Sequence, residues 1–431
     1  MVNIVNVSVS QQVASAPSQL QSTGAFISQG GTTLAAGTSA LITQVSDLTA
    51  LVNPAISITS ISWAGSVATV TTQTPHLVPI GDTLQGVISG AVPSGYDGTF
   101  AVTATGASTL TYPLATNPGS ETVAGKFQIY SAVEIQAMAD TFFAQDANQA
   151  VYVLELGANT VANGVASLST YIAAPSLQFY GYLLPASWDG NSAMHALATQ
   201  YNGPTAEVYF YTTTTIATAS FWAGIKSVVG GLLNPAAPVT EFSLAALFQV
   251  MLSRNPGVSN QAAPVSFTYV YGVTPLVLTG PQQVTMKALG VNWIGTGAEG
   301  GISNTIIFWG TTMDLNPLNY WYAVDWADIN VHMALAATII NGSNNPTNPL
   351  YYNQAGINAL QASAQNTFNN GVSFGLFLGP VVVTAISFTN YIAQHPNDYA
   401  TGTYNGLACT FVPARGFEAV TIYLTASNIP A

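Results

Sequence analysis

Hydrophobic and polar positions in this chain change their period several times, and each change marks a different kind of element. Near the start, Val5, Val7 and Val9 alternate with Asn6, Ser8 and Ser10, a period of two that predicts a strand with one apolar and one polar face. Between 56 and 129, short β-type runs (56–61, 66–72, 83–88, 99–103, 110–114 and 123–129) are separated by turn signals such as Pro93-Ser94-Gly95 and Asp97-Gly98. Strands at about ten-residue spacing with such turns predict a small β-sandwich or barrel. This module follows Pro54 and stops where helical sequence begins, so it reads as an insert.

From Ser131 the pattern becomes mixed. Helical periodicity over 132–144, 161–173 and 193–201 alternates with strand-like runs over 150–156, 177–184 and 206–212. Alternation at this spacing predicts βαβ units and a largely parallel sheet covered by helices. Further helices are expected at 241–253, 282–289, 320–341 and 353–369, with strands at 291–295 and 305–310. After about residue 380 the chain returns to β character. Runs at 407–412 and 419–425 flank Pro413-Ala414-Arg415-Gly416, which reads as the turn of a hairpin. In the second run Val420, Ile422 and Leu424 alternate with Thr421, Tyr423 and Thr425. The expected fold class is therefore α/β (α+β): a mixed sheet flanked by helices, a small all-β insert, and extended strands at both ends.

Composition adds one strong constraint. Only 5 Lys and Arg and 17 Asp and Glu occur among 431 residues, 5% of the chain, where a soluble domain carries about a quarter. A surface of Thr, Ser, Asn, Gln, Gly and Ala is weakly defended against self-association, which points to an assembly protein covered by its own copies. The 49% of hydrophobic residues suffice for a large core and exclude general disorder. Residues 375–387 form one of the longest apolar stretches, yet it is too short to span a bilayer and contains Pro380. The opening MVNIVNVSVSQQ lacks a cationic segment followed by an apolar one, so no signal peptide is expected. The helical stretches argue against an outer-membrane barrel. With a net charge of −12 and cations scattered at Lys126, Lys226, Arg254, Lys287 and Arg415, nucleic acid is not an expected partner. Cys409 stands alone, which excludes an intrachain disulfide and a Cys-based metal cluster.

Candidate chemistry is sparse. Gly295, Gly297 and Gly300 match G-x-G-x-x-G, but a strand-like run follows where a dinucleotide site needs a helix, so a glycine-rich turn is expected. Asp325, Asp328 and His332 share a face of one helix; crowded by Trp321, Tyr322, Trp326 and Met333, they read as acids paired or solvated rather than as metal ligands. His76, His195 and His395 are isolated and read as surface or loop residues. Glu134, Asp140 and Asp146 have no partners visible in sequence. No catalytic, metal or cofactor site is assigned.

Several segments resemble contractile-tail sheath proteins of myophages, in a divergent branch of phage structural proteins. They are the opening IVNVSVSQQ with its sequel GAFISQGGTTLAAGTSALIT, the insert end TLTYPLATNPG, the stretch IQAMADTFFAQDANQAVYVLELG and the closing VPARGFEAVTIYLTASNIP. The resemblance covers nearly the whole chain and implies a non-enzymatic subunit of a hollow helical tube. Such a tube is built of stacked six-subunit rings around an inner tail tube and shortens to drive that tube through the host envelope. Implied partners are further copies of the chain, the tail tube protein, and baseplate and tail terminator proteins, with no cofactor and no membrane insertion. The implied location is the virion tail, after synthesis and assembly in the host cytoplasm. On this reading 1–20 and 416–431 are strand-exchange arms, 21–55 with 130–415 form the core, and 56–129 is the inserted domain.

Val5, Val7, Val9, Val420, Ile422 and Leu424 are the expected interface residues. A strand docked on a neighbour's sheet satisfies its backbone and buries alternate side chains without needing charge. Flexible links at 10–18 and 394–406 would keep the mesh joined while subunit bodies rotate. Two alternatives remain at this point: another phage assembly subunit, such as tail tube or capsid, and a carbohydrate-binding or enzymatic protein. The latter would need Trp63, Tyr96 and Tyr112 to line a surface groove.

Overall fold

The computed structural model describes residues 20–146, 148–174, 179–255, 264–297 and 304–418. They fall into two units, one built from Leu20–Arg254 with Pro264–Leu318 and the other from Asn319–Arg415. The first unit opens with β1 (Gly24–Ser28), β2 (Thr38–Ile42) and the short α1 (Val45–Thr49). Six consecutive strands follow: β3 (Ile56–Ala64), β4 (Val67–Thr72), β5 (Thr83–Ser89), β6 (Gly98–Gly106), β7 (Thr109–Pro113) and β8 (Lys126–Ile129). Helices and strands then alternate through α2 (Tyr130–Phe143), β9 (Val151–Glu155), α3 (Val161–Ala173), β10 (Gly181–Leu183), α4 (Ser192–Gln200), β11 (Tyr209–Thr214) and β12 (Val228–Leu232). Helices α5 (Leu244–Leu252) and α6 (Gly280–Ala288) and the antiparallel pair β13 (Trp293–Gly297) and β14 (Asn304–Phe308) complete it.

One mixed sheet runs in the order β12-β11-β10-β1-β9-β2. Its pairings are parallel except that of β2 with β9, as expected of strands joined through covering helices. Strand β1 lies inside and is buried at every position, which is why GAFIS carries no alternation. Ala25 and Ile27 join a core with Leu168, Ile172, Met194 and Leu197 of α3 and α4. Phe26 meets Phe142 of α2 edge-on at 5.3 Å and lies 6.1 Å from Phe248 of α5. Gly24 and Gly181, paired across β1 and β10, leave room for that Phe248 ring; a Cβ would come within 2.5 Å and 2.6 Å of it. The start of α4 is fixed by the Asn191 side chain, which accepts from the Ala193 and Met194 amides.

Glu155, at the end of β9, is 1% exposed and its carboxylate accepts five hydrogen bonds. The donors are the hydroxyls of Ser28 and Thr32 and the amides of Gly30, Thr32 and Gly157, at 2.6–3.0 Å. They knot the loop leaving β1 to the exit of β9. A buried anion is tolerated when donors saturate it in this way.

The six consecutive strands close into an antiparallel barrel in the order β3-β4-β7-β6-β5-β8. Register shifts at Ile58/Ser60 and Ala104/Gly106 supply the bends that closure needs. Ile61, Val70, Ile88, Val102, Leu110 and Phe127 fill its interior. The two ends of the barrel are tied together: Gln128 donates to the Asn53 carbonyl, and Asn53 donates to the carbonyls of Gly30 and Thr32. Strand β8 runs into α2 with no intervening residue. Near this junction is a cavity of about 290 Å³, lined by Thr83 and Gln85 from the barrel and by Gln29, Ser131, Glu134 and Ser187. The Glu134 carboxylate accepts from the Ala186 amide at 2.9 Å, and burial pushes its pKa up to about 7.

The second unit contains α7 (Leu318–Ser343), α8 (Gln354–Ser373), β15 (Phe377–Ala385), α9 (Phe388–Gln394), α10 (Pro396–Thr401) and β16 (Leu407–Pro413). Its core is aromatic. Phe377 lies 4.7 Å from Phe411, 5.8 Å from Phe368 and 5.9 Å from Trp326. Gly371 of α8 admits the Phe377 ring, which any Cβ there would strike.

Two measurements test this account. Glu155→Gln turns an amide group toward donors that need an acceptor, so it is expected to cost about 3 kcal/mol in denaturant unfolding of the first unit; a cost below about 1 kcal/mol would show that the knot is not cohesive. For Glu134 the folded-state pKa lies above the ordinary carboxylate value, so its contribution is fully present below about pH 4.5 and is lost as pH rises toward about 7. Glu134→Gln is expected to remove that component, a span of about 3 kcal/mol at most, and to be more stable than the parent at pH 8. Parallel pH dependences of the two proteins would refute it.

Candidate functional site

The positions expected to form strand-exchange arms, Val5, Val7, Val9, Val420, Ile422 and Leu424, lie outside the described residues. A two-stranded sheet in the second unit, β15 antiparallel to β16, is the surface on which an added strand can be considered. One face of it packs inward through Phe377, Val381, Val383 and Phe411. On the other face Leu378, Val382 and Val412 are 60%, 61% and 56% exposed. The two long edges differ. Along the outer edge of β15, Gln365 donates to the Val381 carbonyl at 2.8 Å and accepts from the Val383 amide at 2.9 Å. Gln361 donates to the Val383 carbonyl at 2.8 Å. Val383 thus turns both backbone groups away from β16. In the antiparallel alternation its partner Cys409, and with it Leu407 and Phe411, turn theirs to the opposite edge. Among the described residues nothing pairs with that edge of β16.

Of the hairpin expected around 413–416, the structure describes the first strand, 407–413, and residues 414–418 beyond it. Residues 414–417 have no regular structure, the Ala414 amide donates to the Leu376 carbonyl, and Asn319 donates to the Ala414 carbonyl. The partner found for β16 is β15; the second strand of the expected hairpin, 419–425, falls outside the described residues. Nor is 394–406 a loose link. It carries α10, and Tyr391 donates to Asp398 at 2.7 Å while accepting from the Asn405 amide at 2.9 Å. That tyrosine organises a segment whose Pro, Asn, Gly and Thr content reads as flexible.

The residues considered for chemistry are not brought together. Gly295 and Gly297 sit in β13, which is followed by its antiparallel partner β14 rather than a helix. On α7, Asp325 is buried while Asp328 and His332 are exposed. His76 lies in the loop between β4 and β5, one of the two settings expected of it, and is buried beside Phe127, while His195 stacks at 6.0 Å on Trp222. Among the described residues no group of three His, Cys, Asp or Glu is placed to hold a metal. The larger cavity, about 760 Å³ between α7 and α8, is lined by alanines such as Ala334, Ala337 and Ala359 and by amides such as Asn341 and Asn366, without an acidic or basic side chain. The aromatic groove required of a sugar-binding insert is not formed: Tyr96 and Tyr112 are each 1% exposed, and Trp63 donates to the Leu114 carbonyl. No helix among the described residues is long and apolar enough to cross a membrane.

No protein-family profile matches the chain, and no curated protein matches it. Solved structures do. A chain of the anti-feeding prophage baseplate, 6-fold symmetrised, superposes with a TM-score of 0.58 at 12% identity over 99% of both chains. The helical sheath of the same prophage in its contracted state gives 0.55 at 11% identity, again over 99% of both. The baseplate in the contracted state gives 0.52 at 12% identity, over 99% of this chain and 98% of the other. From end to end, therefore, this polypeptide has the fold of a contractile-tail sheath protein.

Proposed function

We propose that the chain is a structural subunit of a contractile tail sheath, polymerising into a helical tube of six-membered rings around a tail tube. Contraction of that lattice drives the tube through a host envelope and delivers the genome. The observation that carries this reading is the superposition on a contracted helical sheath over 99% of both chains. The open edge of β16 and the near absence of charge support it. The first gives a neighbour's strand a backbone to pair with, and the second leaves a surface suited to neutral contact. On this reading the partners are further copies, a tail tube protein, and baseplate and terminator proteins; the working location is the virion tail, and the subunit is no enzyme. The terminal segments 1–20 and 416–431 serve as arms, with Val5, Val7, Val9, Val420, Ile422 and Leu424 as their buried positions.

Purified protein viewed by negative-stain microscopy is expected to form tubes or rings with sixfold end views, and a dispersed monomer at high concentration would refute the proposal. Deleting residues 416–431 should leave a folded subunit, by circular dichroism, that no longer polymerises. Normal tubes from that truncation would remove the C-terminal arm from the scheme. Replacing residues 56–129 by a short Gly-Ser link should leave polymerisation largely intact, because the barrel enters and leaves the body at one tied point; loss of all tubes would place the barrel within the lattice contacts.

A further inference from the structure

Two glutamates are buried among the described residues, and they are served differently. Glu155 accepts five hydrogen bonds. Glu134, 5% exposed, receives the Ala186 amide on one carboxylate oxygen, and no described residue donates to the other. Glu134 lines the cavity at the root of the barrel, and none of the cationic side chains Lys126, Lys226, Arg254, Lys287 and Arg415 is on that lining. An anion held away from water needs a counter-charge or a full set of donors, so ionised Glu134 has to find its partner outside the chain. The position in the fold points the same way. Gln29, Thr160 and Pro185 enter the lining from the segments that leave β1, β9 and β10, three neighbouring parallel strands. Open α/β sheets hold their ligands in such a crevice, outside the carboxyl ends of the strands.

One carboxylate matches one positive charge. A divalent metal asks for about six oxygen ligands, and among the described residues no three His, Cys, Asp or Glu side chains gather to hold one. Part of the wall is apolar, with Leu84 from the barrel and Val161 and Pro185 from the body. A hydrated ion leaves such a surface wet, whereas a short carbon chain covers it. At about 290 Å³ the cavity stands at the small end of the range for ligand pockets. We propose that it is a binding site for a small alkylammonium compound, whose ammonium group pairs with Glu134 and whose carbon chain lies against Leu84, Val161 and Pro185, bridging barrel and body. The site belongs to the single chain and is independent of how copies assemble. Burial pushes the Glu134 pKa up to about 7. Tyr130, the other ionisable side chain on the lining, is raised above its ordinary value by burial and by Glu134, and so stays neutral. The ammonium group pairs with the ionised carboxylate alone, so affinity is level above about pH 7 and falls as the pH drops below it.

The probe is propylammonium chloride, followed by equilibrium dialysis against the full chain at pH 8. Saturable binding at one site per chain is expected, and propan-1-ol, which has the same carbon chain without the charge, should not bind. Glu134→Gln is expected to weaken binding at least about tenfold. Asp140→Asn, on the same helix but off the lining, should bind as the parent does. In the parent, affinity at pH 6 should be about tenfold below that at pH 8, and Glu134→Gln should lack this dependence. Leu84→Ala should cost more affinity for propylammonium than for methylammonium. Unchanged binding in Glu134→Gln, or an equal loss in Asp140→Asn, overturns the site. Equal binding of propan-1-ol overturns the cationic class, and displacement by potassium chloride at the same concentration overturns the organic one. Equal losses for the two amines in Leu84→Ala overturn the placement of the carbon chain. Absence of saturable binding by the parent overturns the proposal and leaves the sheath reading standing.

Discussion

Backbone hydrogen-bond satisfaction is the constraint on which the rest of this structure depends. A buried N–H or C=O without a partner costs on the order of 1–3 kcal/mol, and a chain this poor in charge and rich in amides and hydroxyls answers the need with neutral groups. Asn53 holds two loop carbonyls, Gln128 holds Asn53, and the paired glutamines of α8 occupy the edge of β15. The few charges that are buried do the same work. Glu155 gathers five donors, and Lys226, 3% exposed, gives its ammonium to the carbonyls of Gly203, Pro204 and Ala206.

On the proposed function, interfaces have to persist while subunits turn against one another. Contacts made by main-chain pairing suit that role, because they are short-ranged and tolerant of side-chain change, and salt screens them little. The aromatic cluster around Phe377 gives the two-stranded sheet a firm base in the second unit. A strand joining β16 would add to a surface already fixed rather than one that has to fold around it.

Much of the fold could be read from the pattern of residues. The βαβ alternation after residue 130 and the all-β character of 56–129 follow from periods of 3.6 and 2, and the elements observed match them within a few residues. What escaped was buried on both sides or decided by distant contacts. β1 and β12, GAFIS and VVGGL, have no polar face to alternate with because helices cover both sides of the sheet. Tyr391 orders a segment that composition alone makes loose. The capped edge of β15 was equally invisible, because nothing local in the sequence says that Gln361 and Gln365 face a strand sixteen to twenty-two residues further on.

The direct run of β8 into α2 has a mechanical consequence. With no spacer between the last barrel strand and a helix packed on the central sheet, the barrel behaves as a cantilever welded to the body. Whatever angle the body turns through, the barrel tip sweeps the same angle at a larger radius, so a tag or dye carried there would register small rotations as long arcs.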